Sequence, residues 1–192
     1  MARIKKTSGG HMGKFRVGRE MSFVKWRNPA IAAEVYAKCI TPRGEATLIR
    51  ELGPRTRPED HADAVESWTV SLRQGETTLK VHRLVAHPLL LRWRIRKGFV
   101  GEVDGEPLRF TGTSALRRSG RSVMYEGPAI DVRIVPRAFG LRLVEKGGEA
   151  GFRSSNGEWE LPDPTDHAVL AACLFEWAGL EDLLRTPVLR DL

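Results

Sequence analysis

The sequence predicts a mainly β protein, an antiparallel barrel of about twelve strands that encloses a hydrophobic C-terminal α-helix. Three observations support this prediction. Turn signals recur every 8 to 12 residues between about residue 33 and residue 161. Apolar residues alternate with polar ones in the segments between those turns, as in half-buried strands. One wholly apolar helical segment follows the last of them.

The turn signals divide the chain into ten to twelve short segments. Glycine, asparagine and proline mark them because these residues adopt turn conformations at little cost. The clearest are Pro42-Arg43-Gly44, Gln74-Gly75, Lys97-Gly98, Asp104-Gly105, Ser119-Gly120, Gly147-Gly148 and Asn156-Gly157. A single open sheet of so many strands curls or splits, and closure removes its exposed edges. We therefore expect a closed or nearly closed barrel.

Within the segments, every second residue is apolar, which predicts one buried and one solvated face. The apolar sets include Trp68, Val70 and Leu72; Leu91, Trp93 and Ile95; and Leu141 and Leu143. In the second set the intervening residues are all arginines. We therefore expect a strand at 91–96 with Trp93 buried and the arginines facing water.

The segment Ala168 to Ala178, AVLAACLFEWA, predicts a helix that is buried on every side, within about residues 165–180. Thr165 or Asp163 can cap its start, and Gly179 can end it. Its eleven residues fall short of the roughly 18 that a membrane span needs. A twelve-stranded barrel is too wide for its own side chains to fill, so we expect this helix to occupy the interior.

Glu176 is the one charge in that apolar segment. A buried carboxylate without a partner is costly or protonated. We expect Glu176 to lie near a barrel mouth and to reach solvent or an arginine. A functional buried acid is the alternative.

Residues 1–11 resemble an expression leader joined to the native start at His11-Met12, and residues 12–192 are long enough for one domain. Three of the seven net positive charges belong to that leader, which leaves +4. Cys39 and Cys173 lie far apart and suggest neither a disulfide framework nor a zinc site. No segment resembles a secretory signal. We expect a cytoplasmic protein, with a peripheral membrane location as an extension of that hypothesis.

The sequence favours a non-enzymatic protein without a cofactor or metal. The serines lack a nucleophile-elbow context, and Gly147-Gly148 precedes no helix that would make a phosphate loop. The acidic segment around His61 matches no metal-ligand spacing and is expected to be an exposed loop.

Basic residues concentrate in the middle of the chain, where residues 80–142 contain 13 Lys and Arg against 5 Asp and Glu. If Arg92, Arg94 and Arg96 project from one face of a strand, they form a row spaced by about 7 Å, followed by Lys97. Guanidinium groups bind phosphates bidentately, so this row is a candidate anion site. The alternative is that these residues only keep a strand face soluble and discourage edge pairing.

Arg117, Arg118 and Arg121 form a second basic cluster around Ser119-Gly120, in an expected hairpin loop. Such a loop can touch anionic lipid or nucleic acid. Binding of nucleic acid would call for aromatic side chains among the basic residues as stacking platforms. Only Trp93 lies within the arginine row, on the face expected to be buried. Nucleic acid is therefore the less favoured partner.

A series of short strands, the strand Glu158-Trp159-Glu160-Leu161 and the closing helix DHAVLAACLFEWAGL together resemble the tubby C-terminal-like superfamily. That superfamily includes the LURP-one-related proteins and the phospholipid scramblases. The resemblance covers most of residues 33–184 and implies a twelve-stranded barrel around a central helix, with a basic face for anionic lipid head groups. Arg92, Arg94, Arg96 and Lys97 would form that face. The cysteine-rich, calcium-binding and membrane-anchor segments of scramblases have no counterpart here, so scramblase activity is not implied.

Three alternatives remain open on the sequence. One is a small-molecule-binding or catalytic barrel with an interior pocket. A second is a nucleic-acid-binding protein. The third is a structural or interaction protein.

Overall fold

The computed structural model describes residues 13–18, 33–52, 65–85 and 88–185. The expected leader and the expected loop at 54–63, with His61, lie outside the described residues.

The described residues form twelve strands and three α-helices. The strands are β1 Gly13–Phe15, β2 Ala33–Thr41, β3 Gly44–Leu52, β4 Val65–Leu72, β5 Thr77–Val85, β6 Phe99–Val103, β7 Glu106–Thr113, β8 Ser122–Glu126, β9 Asp131–Arg137, β10 Gly140–Glu145, β11 Gly148–Arg153 and β12 Trp159–Leu161. The helices are α1 Pro88–Ile95, α2 Asp166–Trp177 and α3 Glu181–Arg185.

All twelve strands belong to one antiparallel sheet, in which β2 to β12 follow one another in chain order and β1 pairs with β12. β1 and β2 are therefore the two edges of the sheet. They approach each other closely, since a Cβ at Gly13 would lie 2.4 Å from the ring of Pro42. The sheet thus curls into a nearly closed barrel, as the number of strands predicts.

Several hairpin turns form at or next to the expected glycines. Asp104 and Gly105 both have positive φ, +50° and +83°, and Lys146 and Gly147 have +48° and +79°. Positive φ at both central residues belongs to the two-residue turn that matches the twist of antiparallel strands. The local sequence thus fixes where these strands reverse.

Helix α2 begins and ends with the caps that the sequence offers. The Thr165 hydroxyl accepts a hydrogen bond from the Ala168 N–H at 3.1 Å. At the other end Gly179 has φ +64°, and the N–H groups of Gly179 and Leu180 bond to the carbonyls of Glu176 and Phe175. These paired bonds are the Schellman arrangement, in which a glycine with positive φ terminates a helix.

Helix α2 is enclosed by the barrel. Every residue from Ala168 to Trp177 is buried, and the helix meets side chains or backbone from strands all around it. The sulfur atoms of Cys39 and Cys173, both free thiols, lie 3.7 Å apart. The Tyr125 hydroxyl donates to the Ala171 carbonyl at 3.1 Å, and burial raises the pKa of Tyr125 well above its usual range.

The two ends of the barrel differ in which end of α2 they surround. We call them the N-end, where α2 begins, and the C-end, where it finishes. The alternating strand directions place the connections of consecutive strands at opposite ends. The N-end connections are 42–43, 73–76, 104–105, 127–130 and 146–147, and the C-end connections include 88–98, 114–121, 138–139 and 154–158.

Candidate functional site

The C-end gathers the basic residues that the sequence singled out. The four described C-end connections at 88–98, 114–121, 138–139 and 154–158, together with Arg137 at the end of β9, contain eight Lys or Arg and one acid, Glu158. The five N-end connections, by contrast, hold two acidic and three basic residues. The eight basic residues in this C-end set are Arg92, Arg94, Arg96, Lys97, Arg117, Arg118, Arg121 and Arg137.

The expected strand at 91–96 is wrong, because Pro88–Ile95 forms the helix α1. Proline suits the first helical position, and leucine and arginine are strong helix formers. Residues two apart in a helix point in nearly opposite directions, about 200° apart. Positions 92 and 94 therefore do not share a helix face, and Arg96 lies in the turn after α1, so the expected strand row does not form.

The position of Trp93 explains why the alternation of apolar residues at 91, 93 and 95 did not indicate a strand. Leu91 and Ile95 are buried, but Trp93 is 57% exposed. Positions four apart share a face in a helix as well as in a strand, so Leu91 and Ile95 fit both patterns. Only the residue between them distinguishes the two. α1 packs tightly on β7, since a Cβ at Gly112 would lie 3.0 Å from Ile95.

The end of α1 presents two exposed cations beside the exposed Trp93. Arg96 and Lys97 are exposed, and the Lys97 ammonium lies 4.2 Å from the centre of the Trp93 ring. Such a cation–π contact at an exposed site is worth about 0.5–1 kcal/mol. It holds Lys97 in place without neutralising its charge. Among the described residues, neither Arg96 nor Lys97 has an acidic partner.

The second basic cluster lies next to the β9–β10 turn. The Arg118 guanidinium donates hydrogen bonds to the carbonyls of Arg137 and Ala138, the latter at 3.4 Å, and so ties the β7–β8 connection to that turn. Arg117 and Arg118 are exposed, as expected. The structure thus adds Arg137, an exposed residue that the sequence reasoning missed because it comes at the end of a strand.

The expectation that Arg121 binds an anion from an exposed loop is wrong. Its side chain is buried, and the residue is only 5% exposed. It donates to the carbonyls of Ala115 at 2.7 Å, Leu116 at 2.8 Å and Leu184 at 3.1 Å. These bonds fix the β7–β8 connection and fasten it to α3. Arg121 therefore positions the neighbouring residues rather than binding a ligand itself.

Glu176 reaches an arginine, which confirms one of the expectations for it. The Arg153 guanidinium lies 2.5 Å from Glu176 and 2.8 Å from Glu181, and the Trp159 indole donates to Glu176 at 3.1 Å. Burial raises the pKa of Glu176, and the charge and hydrogen bonds of Arg153 and Trp159 partly offset it. At the rim Arg185 pairs with Glu181, so two arginines balance two acids.

A cavity of about 260 Å³ lies at the C-end between Arg118 and Arg185. Both guanidinium groups already have partners, in backbone carbonyls and in Glu181. The cavity is therefore less suited to an anion than the exposed cations around it. It is also lined by Pro136, Gly140, Leu141, Ser155, Glu181 and Leu184.

The described residues contain no group of three or more His, Cys, Asp and Glu side chains that could hold a metal ion. His167 instead contacts the Asp104 carboxylate at 3.0 Å, at the N-end. Among the described helices, none is long and apolar enough to cross a membrane.

The described residues together define a nearly closed antiparallel barrel that is filled by a helix. Comparisons with family models, with curated proteins and with solved structures find no match to this chain.

Proposed function

We propose that the protein is a non-enzymatic binding module that engages anionic phospholipid surfaces through its C-end. The observation that carries the proposal is the distribution of charge, with eight cations and one acid, Glu158, in the described connections of the C-end and at Arg137 beside them. Cations close to an anionic membrane contribute about 1 kcal/mol each. The proposal includes a relationship to the tubby C-terminal-like superfamily, whose implied architecture of twelve strands around a central helix this chain shares.

Fewer residues at this end are suited to bind an anion than the sequence predicts. Arg96, Lys97, Arg117 and Arg137 are exposed and, among the described residues, have no acidic partner, whereas Arg121 serves the fold. Arg118 is exposed but is also committed to the backbone of the β9–β10 turn. Arg96, Lys97 and Arg117 can be changed with little expected effect on folding, because none of their side chains makes a buried contact.

The enclosed helix argues against the alternative of an interior pocket. Residues 168–177 are buried by the surrounding strands, so they occupy the space that a ligand within the barrel would need. A catalytic role for Glu176 is also disfavoured, because Arg153 and Trp159 already engage both of its carboxylate oxygens.

A nucleic-acid ligand is the second candidate, and the exposure of Trp93 favours it. This ring is exposed and not buried as expected, and aromatic rings beside cations can stack on bases. Lys97 covers that ring, however, and of the other two exposed apolar residues at the C-end only Phe139 offers a π face, whereas Leu116 offers none. A lipid surface, in contrast, can accommodate both the aliphatic and the aromatic side chains that are exposed at the C-end.

Vesicle sedimentation tests the proposal. The triple variant Arg96→Ala, Lys97→Ala and Arg117→Ala should bind vesicles of phosphatidylcholine and phosphatidylserine on the order of a hundredfold more weakly than the unmodified protein at low salt. Vesicles of phosphatidylcholine alone should bind little of either protein. A matched control, Lys38→Ala, Arg133→Ala and Arg142→Ala, removes the same charge from exposed positions on strands and should bind nearly normally.

Equal losses in the two triple variants would show that net charge alone drives binding and would contradict the proposal. So would tight, salt-sensitive binding to a single-stranded oligonucleotide together with no binding to acidic vesicles. In that case the nucleic-acid alternative would replace it.

A further inference from the structure

The C-end also exposes large apolar side chains. Of the five large hydrophobic residues that the described chain leaves exposed, three belong to C-end connections: Trp93, Leu116 and Phe139. Leu116 is 73% exposed and Phe139 is 86% exposed. Single exposed apolar residues are common on soluble proteins and need no explanation. These three residues call for an explanation because they lie at the same end of the barrel as the cations that have no acidic partner among the described residues.

Leu116 and Phe139 are held by anchored backbone. Arg118 ties the connection that carries Leu116 to the carbonyls of Arg137 and Ala138, immediately before Phe139. Arg121 in turn holds the Leu116 carbonyl at 2.8 Å. The two apolar side chains are therefore presented on neighbouring loops that the fold keeps together.

The sequence around each apolar residue indicates what covers it. Leu116 is followed by Arg117 and Arg118, and Phe139 comes two residues after Arg137. Apolar residues next to cations match the boundary of an anionic bilayer, where carbon side chains enter the acyl region and guanidinium groups stay among the phosphates. A second copy of this chain would instead place like charges opposite each other.

We propose that Leu116 and Phe139 insert into the acyl boundary of an anionic bilayer, with the C-end of the barrel facing the membrane. This inference rests on the proposed function and adds an orientation and an apolar component to it. The arginines at 117, 118 and 137 then lie at the level of the lipid phosphates. Trp93 and Lys97 belong to another connection at the same end of the barrel.

The first test is binding of the double variant Leu116→Ser and Phe139→Ser to phosphatidylcholine vesicles that contain phosphatidylserine. The double variant lacks two large apolar side chains that would leave water on binding. We therefore expect binding to weaken on the order of a hundredfold. The control variant Ile40→Ser removes a residue of similar exposure, 72%, from β2 and should bind normally. The binding that the unmodified protein retains at high salt should disappear in the double variant.

The second test measures insertion directly. A fluorophore on Phe139→Cys should shift to the blue on binding and be quenched by spin-labelled acyl chains but protected from aqueous iodide. A label on Ile40→Cys should show neither change. The native thiols Cys39 and Cys173 are buried, so the introduced cysteine is the reactive one.

The outcomes separate this inference from the proposed function. Normal vesicle binding with a 139 label that stays open to iodide would overturn insertion and leave charge-driven binding intact. Failure of the unmodified protein to bind acidic vesicles would overturn both. Self-association without vesicles that the double variant abolishes would assign the apolar surface to a second copy and overturn insertion.

Discussion

The two ends of the barrel use the same residue type in opposite ways. At the N-end, Asp166 in the first turn of α2 accepts a hydrogen bond from Arg43 at 2.6 Å and pairs with Arg73, and Thr77 also donates to it at 3.1 Å. At the C-end the exposed Arg96, Arg117 and Arg137 have no acid among the described residues. Arginine at the N-end thus holds the helix in the barrel, whereas these exposed arginines at the C-end form no ion pair within the described part of the chain.

The C-end also contains arginines that serve the fold, so position alone does not separate the two uses. Arg121 and Arg153 are each 5% exposed, and carbonyls or carboxylates surround their guanidinium groups. Burial and partners distinguish them from Arg117, which is exposed. The comparison therefore predicts that stability and binding depend on different arginines.

The largest expected effect is at Arg153. Arg153→Met leaves Glu176 and Glu181 buried without their shared cation, and it should lower the free energy of unfolding by about 3–5 kcal/mol in urea denaturation. Arg142→Met, at an exposed position on β10, is the control and should change it little. A loss for Arg153→Met no greater than that of the control would show that the buried cluster does not stabilise the fold.

The same variant should be less impaired in mild acid than at neutral pH. Burial already raises the pKa of Glu176, and removal of Arg153 removes a charge that lowers it. A raised folded-state pKa means that the folded protein binds the proton more tightly, so stability falls as the pH rises through that range. The difference in unfolding free energy between the two proteins should therefore shrink as Glu176 becomes protonated.

The next effect is at Arg121. Arg121→Met removes charged hydrogen bonds to three carbonyls, and we expect a loss of about 2–3 kcal/mol in the free energy of unfolding. Hydrogen exchange should increase in residues 114–121 and in α3, which this side chain joins. Arg109→Met, at an exposed position on β7, should leave both measurements nearly unchanged. A stable Arg121→Met protein with unchanged exchange would mean that Arg121 does not hold this connection.

A smaller effect is expected at Asp166. Burial alone would raise its pKa, but the hydrogen bonds from Arg43 and Thr77 and the charges of Arg43 and Arg73 lower it below the usual range. The resulting stability is present above the pKa of an unfolded aspartate and is lost as the pH falls through the lower folded-state pKa. Asp166→Asn should cost about 1–2 kcal/mol at neutral pH, and this difference should vanish in strong acid.

The smallest stability effect is expected at Arg117. Arg117→Ala removes an exposed cation without an acidic partner, so the free energy of unfolding should change by less than about 0.5 kcal/mol. Binding to acidic vesicles should nevertheless weaken about fivefold, as expected for one cation near the surface. A stability loss as large as that of Arg121→Met would remove the distinction between the two kinds of arginine.

Much of the fold could be predicted from the sequence because its signals are local. The turn at Asp104-Gly105, the Thr165 cap and the Gly179 terminus each depend on a few adjacent residues, and each is where the sequence places it. The candidate site could be predicted only in part. Arg96, Lys97, Arg117 and Arg118 are exposed as expected, but the row through Arg92 and Arg94 depended on the wrong secondary structure.

Short-range sequence patterns suffice to predict several reversals of the chain, the limits of α2 and the enclosure of an apolar helix by strands. These follow from backbone preference and from the number of apolar residues that must leave water. It takes the three-dimensional structure to show that Arg153 meets Glu176, that Arg121 is buried and that the connections at 88–98, 114–121 and 138–139 share one end. Such pairings depend on the curling of the whole sheet, which brings together residues that no short-range pattern relates.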